Sequence, residues 1–182
     1  MTTISARQVI ALIAAIQQCE PERVGSAMRR LRRRSVPFAA GGNGRGRPAA
    51  YGPKDIVRLT VAFELMAAGV TPDRTVGAME EGRDVVSRAV AAMMANRAGE
   101  DSLLALDGSI VSCSPAVVRQ WAKGRGSTRS AVLINTGRIV DDLRDAVADT
   151  MGRDAAAVLD ALDAWAGTIM MTPGNASDPD PL

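Results

Sequence analysis

The sequence lacks histidine altogether and contains only two cysteines. Without histidine, the chain cannot form a Ser-His-Asp triad, and it lacks the commonest metal-binding side chain. Two cysteines alone give little support for a zinc site, so we expect Cys19 and Cys113 to be reduced, packed thiols. No Walker-type phosphate-binding loop is present either. We therefore predict no metal site and no cofactor, and we do not expect an enzyme.

Long apolar runs and aromatic residues are also scarce. No run reaches the roughly 20 apolar residues that a membrane-spanning helix needs, and the apolar segment 10–16 is too short and too interrupted to be a signal peptide. We therefore expect a cytoplasmic protein without membrane contact. Because aromatic residues make up only 3% of the chain, the core must consist of Ala, Val, Leu, Ile and Met. Such a core favours closely packed helices.

Charge is distributed unevenly along the chain. Residues 1–52 contain nine Arg and two Glu, a net charge of +7, whereas the remainder has a net charge of −5. A basic N-terminal part favours a polyanionic partner, and the mildly acidic remainder favours contacts with proteins.

Two consecutive helices are predicted in the N-terminal part. Thr3 or Ser5 can cap a first helix that reaches about Gln18, and Pro21 suits the first turn of a second helix extending to residue 34. Each helix has an apolar stripe, formed in the first by Val9, Leu12, Ile13 and Ile16 and in the second by Val24, Ala27, Met28 and Leu31. Two helices joined by so short a turn predict a helix-turn-helix whose second helix reads DNA.

The second helix carries a run of arginines: Arg29, Arg30, Arg32, Arg33 and Arg34. A charge run on a helix is commonly just a solvated face. These arginines are not balanced by nearby acids, however, and the guanidinium group suits bidentate contact with phosphate or guanine. We therefore favour nucleic-acid contact.

A Gly/Arg-rich loop follows at residues 41–48. Its segment Arg45-Gly46-Arg47-Pro48 resembles the core of an AT-hook, which reads the minor groove. A flexible linker that happens to contain arginine is the alternative. The next helix is predicted to begin at Pro53 and to end at Gly69, in a left-handed cap. Thr71 then caps a short helix begun by Pro72.

The spacing of Tyr51, Asp55, Ile56, Leu59 and Gly69, followed by a second short helix, resembles the wing-to-helix segment of the MerR-type winged helix-turn-helix family. The resemblance covers about residues 5–82. It implies that the helix at residues 21–34 enters the major groove and that Arg45 and Arg47 lie on the wing, which Tyr51 helps to close. The predicted DNA-binding residues are Arg23, Arg29, Arg30, Arg32, Arg33, Arg34, Arg45, Arg47, Tyr51 and Lys54.

The C-terminal half is predicted to combine helices with a small sheet. A helix from Asp84 to about Arg97 either mediates dimerisation, as the resemblance implies, or packs in the core. Strands at residues 103–106, 110–111 and 131–134 form a three-stranded sheet, with a hairpin turn at Asp107-Gly108 and a short helix from Pro115 to Trp121. The basic loop at residues 123–129 either contacts an anion or is a solvated turn.

Two last helices, at residues 137–150 and 154–170, are predicted to form a hairpin. The Pro/Asp-rich residues 172–182 are expected to be disordered. The predicted division is therefore a DNA-binding domain (1–82), a connecting or dimerisation helix (83–98), a small α+β domain (99–171) and a tail (172–182).

The predicted fold class is mainly α, with a winged helix-turn-helix N-terminal domain followed by a small α+β C-terminal domain. The predicted function is a sequence-specific, homodimeric transcription regulator that binds double-stranded DNA. RNA polymerase is a candidate partner of such a regulator, and the Ala/Arg/Gly-rich composition indicates a bacterial source. The alternatives are an assembly protein with a basic surface and an RNA-binding protein, which the scarcity of aromatic residues disfavours.

Overall fold

A computed structural model describes residues 2–33, 49–95, 103–107, 109–123 and 131–172. The part of the chain that it describes is mainly helical, with a small three-stranded sheet and one pair of very short strands. The elements are β1 (Ile4–Ser5), α1 (Ala6–Ile16), α2 (Pro21–Arg33), β2 (Ala50–Tyr51), α3 (Pro53–Ala67), α4 (Pro72–Glu81), α5 (Arg83–Ala95), β3 (Leu103–Asp107), β4 (Ser109–Cys113), α6 (Pro115–Ala122), β5 (Val132–Asn135), α7 (Thr136–Thr150), a 3-10 helix (Gly152–Asp154) and α8 (Ala155–Met171).

Local side-chain caps determine where the N-terminal helices begin. The Ser5 hydroxyl accepts a hydrogen bond from the Gln8 N–H at 3.3 Å, and the Gln8 side-chain oxygen accepts one from the Ser5 N–H at 2.9 Å. This reciprocal capping box satisfies two backbone donors that α1 would otherwise leave unpaired. Helix α2 begins at Pro21, as predicted, since proline lacks the N–H that the first turn cannot use.

Helix α3 is closed at both ends by local interactions. The Asp55 carboxylate accepts a hydrogen bond from the Gly52 N–H at 3.0 Å. At the other end, Gly69 adopts a φ of +90°. The N–H groups of Gly69 and Val70 then donate to the carbonyls of Met66 and Leu65, each at 3.0 Å. This Schellman arrangement confirms the left-handed cap that the sequence predicts.

The strands form two separate antiparallel sheets. In the larger one, β3 lies between β4 and β5, which confirms the predicted three-stranded sheet. Asp107 pairs with Ser109, so Asp107 belongs to the strand rather than to the turn. The smaller sheet pairs Ile4 with Tyr51, a contact that the sequence pattern did not predict. Four side chains of the larger sheet are buried in the main core: Leu104, Leu106, Ile110 and Ile134.

One hydrophobic core joins the two halves of the described chain. Helix α1 packs on α7, and α3 contacts α5, α7 and α8, while α5 packs most extensively on α8. The core is therefore continuous across residues 82 and 98, where the sequence predicted domain boundaries. The apolar face of α5, which includes Val86, Val90 and Met94, is buried within its own chain. This packing favours a core role for α5 over contact with a second copy.

None of the described helices is both long and apolar enough to cross a membrane. The tail residues 173–182, the Gly/Arg-rich loop at residues 41–48 and the basic loop at residues 124–129 lie outside the described residues. The expectations for these three segments remain predictions.

Candidate nucleic-acid interface

Helices α1 and α2 are consecutive helices that pack on each other, and α2 is held by a line of apolar side chains. Val24, Met28 and Leu31 are at most 5% exposed, and α2 packs with them on α1 and more lightly on α4. The turn between the helices is tied to α3, because the Gln17 side-chain amide donates to the Glu64 carboxylate at 2.5 Å. These contacts fix which side of α2 faces outward.

The outward side of α2 carries arginines whose side chains are exposed. Since a helix makes a turn in about 3.6 residues, Ser26 and Arg29 lie opposite the buried line. Arg23 and Arg30 lie on one flank, about two turns apart. All three arginines are exposed, and the Arg29 guanidinium donates to the Ser26 hydroxyl at 2.9 Å. This hydrogen bond holds Arg29 in one orientation on the exposed face.

The positive charge on this face is not neutralised by neighbouring acids. Helix α2 contains one carboxylate, Glu22, in its first turn. Elsewhere in the described chain, arginines pair with carboxylates, such as Arg138 with Asp142 at 3.3 Å. Among the same residues, no ion pair involves Arg23, Arg29 or Arg30. The face therefore presents guanidinium groups that remain available to an anionic partner.

The structure places only part of the predicted set on this face. Arg32 and Arg33 lie in the last turn of α2, but their side chains are outside the description. Arg34, Arg45 and Arg47 lie entirely outside the described residues. Their predicted roles in reading DNA and forming the wing remain predictions.

Tyr51 and Lys54 occupy different environments although they are close in sequence. Tyr51 is 1% exposed in β2 and lies opposite Ile4, so its ring belongs to the core. Lys54, the second residue of α3, is exposed. The side chain of Tyr51 therefore packs in the core and supports the strand that leads into α3, while its predicted contact with DNA stays a prediction.

Two features near this part of the fold were missed by the sequence reading. Ser26 orients Arg29. The sequence could have indicated this role only because Ser26 lies three residues before Arg29 on the same helix. Arg58 on α3 is partly buried, and its Nε and Nη2 atoms have no hydrogen-bond partner among the residues that the structure describes. Burial lowers the Arg58 pKa, as does the nearby Arg83, while Asp55 and Asp84 oppose the shift. No motif in the sequence indicates this environment.

Within the described ranges, no group of three or more His, Cys, Asp or Glu side chains is arranged to hold a metal ion. Cys19 and Cys113 are free, partly exposed thiols. No protein-family model matches the chain, and no curated protein shows significant similarity to it.

Proposed function

We propose that this protein is a sequence-specific regulator of transcription that binds double-stranded DNA through α2. The observation that carries the proposal is the exposed arginine face of a helix that follows another helix after a four-residue turn. Arg23, Arg29 and Arg30 are exposed and form no ion pair within the described residues. A phosphate backbone is the partner that such a face fits best.

In this proposal, α2 enters the major groove. Arginine there can donate two hydrogen bonds to the O6 and N7 atoms of guanine, and neighbouring arginines bind phosphates. The proposal keeps Arg45 and Arg47, which lie outside the described residues, as the wing contacts to the backbone or the minor groove that the family resemblance implies. The pairing of β1 with β2 supports this arrangement, since it anchors the chain beside α1 where it returns to the core. The arrangement is similar to that of the MerR-type family.

We further propose that the protein acts as a homodimer on a two-fold symmetric operator, with RNA polymerase as a candidate partner. Helix-turn-helix proteins bind paired half-sites because each subunit supplies one reader helix. The apolar face of α5 is already covered by α8, so a dimer contact has to use another surface. The end of α8 is available, because Met170 and Met171 are 52% and 86% exposed.

The first experiment is selection of duplex DNA from a random-sequence pool, followed by affinity measurements at two salt concentrations. We expect enrichment of an inverted repeat and a steep loss of affinity with salt, since each neutralised phosphate releases counterions. Enrichment of a single half-site would contradict the dimer but not the DNA-binding face. No enrichment, with equally weak binding to every duplex, would favour an assembly protein with a basic surface.

Charge reversal on α2 tests whether DNA binds to the surface of this helix. We expect Arg29→Glu to weaken binding to the selected duplex by about a hundredfold or more, because it replaces a phosphate- or base-binding cation with an anion. Arg153→Glu makes the same change of charge in the 3-10 helix before α8 and should leave affinity within about threefold. Circular dichroism of both variants checks that the fold is retained. Equal affinities of the two variants would remove α2 from the interface.

A further inference from the structure

A cavity of about 390 Å³ lies between the turn that joins α1 to α2, α2 itself, the end of α3 and the start of α4. Its apolar lining includes Val24, Phe63 and Met66, while Arg23 and Arg30 also line it. The volume falls in the range of about 300–1,000 Å³ that small-molecule sites occupy. An apolar surface with a few convergent polar groups is typical of such sites.

The two arginines define the chemistry of an occupant. They lie on the same flank of α2, about two helical turns apart, and the described residues provide neither with a carboxylate partner. Gln17 also lines the cavity, and one of the two N–H groups of its side-chain amide already donates to Glu64. An occupant with an apolar body and one anionic group would bury its body against Phe63 and offer its charge to the guanidinium groups.

We propose that this cavity is a binding site for a small apolar monocarboxylate, with the carboxylate held by Arg23 and Arg30. Both arginines also belong to the face that we assign to DNA. A carboxylate that draws these side chains towards the cavity removes two cations from that face. Ligand and DNA therefore oppose each other's binding, and by linkage they do so to the same extent. This second step depends on the proposed function, whereas the binding site itself does not.

Direct binding to the full chain tests the site without DNA. Isothermal titration calorimetry compares octanoate, phenylacetate and 4-phenylbutyrate with 4-phenylbutanamide, the uncharged analogue of the last. We expect at least one carboxylate to bind, and 4-phenylbutyrate to bind about tenfold or more tightly than its amide, because the amide cannot form charge-assisted hydrogen bonds. If none of the three carboxylates binds, or if the amide binds equally well, the proposal is wrong.

Substitutions locate the site. Ala27→Met places a longer side chain at a lining position and should remove measurable binding, whereas Ala15→Met adds the same side chain at an exposed position of α1 outside the cavity. Arg30→Gln should lower carboxylate affinity about tenfold, whereas Arg7→Gln, on the exposed side of α1, should not change it. If a lining variant and its control lose carboxylate affinity to the same extent, the carboxylate binds outside this cavity.

The two cysteines provide an independent readout, because Cys19 lines the cavity and Cys113 does not. Mass spectrometry follows labelling of each thiol by N-ethylmaleimide, with and without saturating 4-phenylbutyrate. Burial raises the pKa of the Cys113 thiol, so its slower labelling is followed over a longer period. We expect the carboxylate to slow Cys19 labelling about fivefold or more and to leave the Cys113 rate unchanged. Unchanged labelling of Cys19 would contradict binding in this cavity.

A last measurement separates this proposal from the proposed function. Affinity for the selected duplex is measured with 4-phenylbutyrate and with its amide at the same concentration. Weaker DNA binding with the carboxylate alone supports competition for the arginines. If the ligand binds but DNA affinity is unchanged, the proposed competition between ligand and DNA is wrong, whereas the binding site in the cavity is retained. If no duplex is bound at all, the proposed function fails while calorimetry and thiol protection still decide the site.

Discussion

Arg58 lies in an environment that does not suit the chemistry of its side chain. Its Nε and Nη2 atoms are buried without hydrogen-bond partners in the described part of the chain. Desolvation is the main cause of its lowered pKa, and the attraction of Asp55 does not cancel it. A buried donor that lost water without gaining a partner costs about 1–3 kcal/mol of folding free energy. Arg58 should therefore reduce stability rather than add to it.

Replacing Arg58 with an apolar side chain of similar length tests this conclusion. We expect Arg58→Met to raise the free energy of unfolding by about 1 kcal/mol, because methionine fills similar space without donors that need partners. Urea unfolding followed by circular dichroism measures the change. Arg7→Met, on the exposed face of α1, should stay within about 0.5 kcal/mol of the parent protein. A clear loss of stability in Arg58→Met alone would show that the guanidinium group has a stabilising partner.

At the scale of elements, the junction of α4 and α5 depends on the absence of a side chain at Gly82. A Cβ atom there would lie 2.7 Å from the Cβ of Ile110 on β4 and 3.0 Å from the Ala78 carbonyl oxygen. Both neighbours belong to packed elements and cannot easily move. Gly77, in the middle of α4, has open space where a Cβ would lie. The same substitution should therefore have opposite effects at these two glycines.

Comparing the two substitutions separates the effect of side-chain packing on stability from the effect of helix propensity. Gly82→Ala should lower the free energy of unfolding by about 1–3 kcal/mol, since α4 or β4 must shift to make room. Gly77→Ala should raise it by about 0.5–1 kcal/mol, because alanine restricts the unfolded chain more than glycine does. Thermal and urea unfolding measure both changes. Tolerance of Gly82→Ala would show that β4 does not pack against this junction as described, whereas destabilisation by Gly77→Ala would show that the space beside Gly77 is not open.

At the scale of the whole molecule, the N-terminal helices α1–α3 do not have a hydrophobic core of their own. Helix α1 packs on α7, and α3 packs on α5, α7 and α8. Leu162, near the middle of α8, is fully buried in the cluster that also contains Leu12 and Leu59. Helices from both ends of the chain therefore depend on the same buried surface. A change in α8 should affect the N-terminal helices as well as its own neighbours.

Hydrogen exchange can distinguish one cooperative core from two. We expect Leu162→Ala to lower the free energy of unfolding by about 2–5 kcal/mol through the cavity that it leaves. Backbone amides of α1 and α3 should lose protection together with those of α7 and α8, as measured by mass spectrometry of peptides. An exposed substitution on the same helix, Asp160→Ala, serves as the control. Loss of protection confined to residues 99–171 would instead support the domain division predicted from the sequence.

Much of the local structure could be read from the sequence, because it depends on groups a few residues apart. Ser5 caps α1, Gly69 closes α3 and Thr71 caps α4, as predicted. The strands at residues 103–113 pair in a hairpin, as the Asp-Gly sequence between their apolar runs indicated. The apolar spacing of α2 also indicated which arginines face outward. These features require only backbone chemistry and helical or strand periodicity.

The tertiary structure decided what depends on contacts between distant segments. The pairing of Ile4 with Tyr51 placed the Tyr51 side chain in the core. The packing of α8 on α5 covered a face that the sequence left open to a second copy. The cavity beside Arg23 and Arg30 exists only because the turn, α2, α3 and α4 meet there. Sequence patterns report which face of an element is apolar, but they do not specify which partner covers it, because many packings bury the same apolar area.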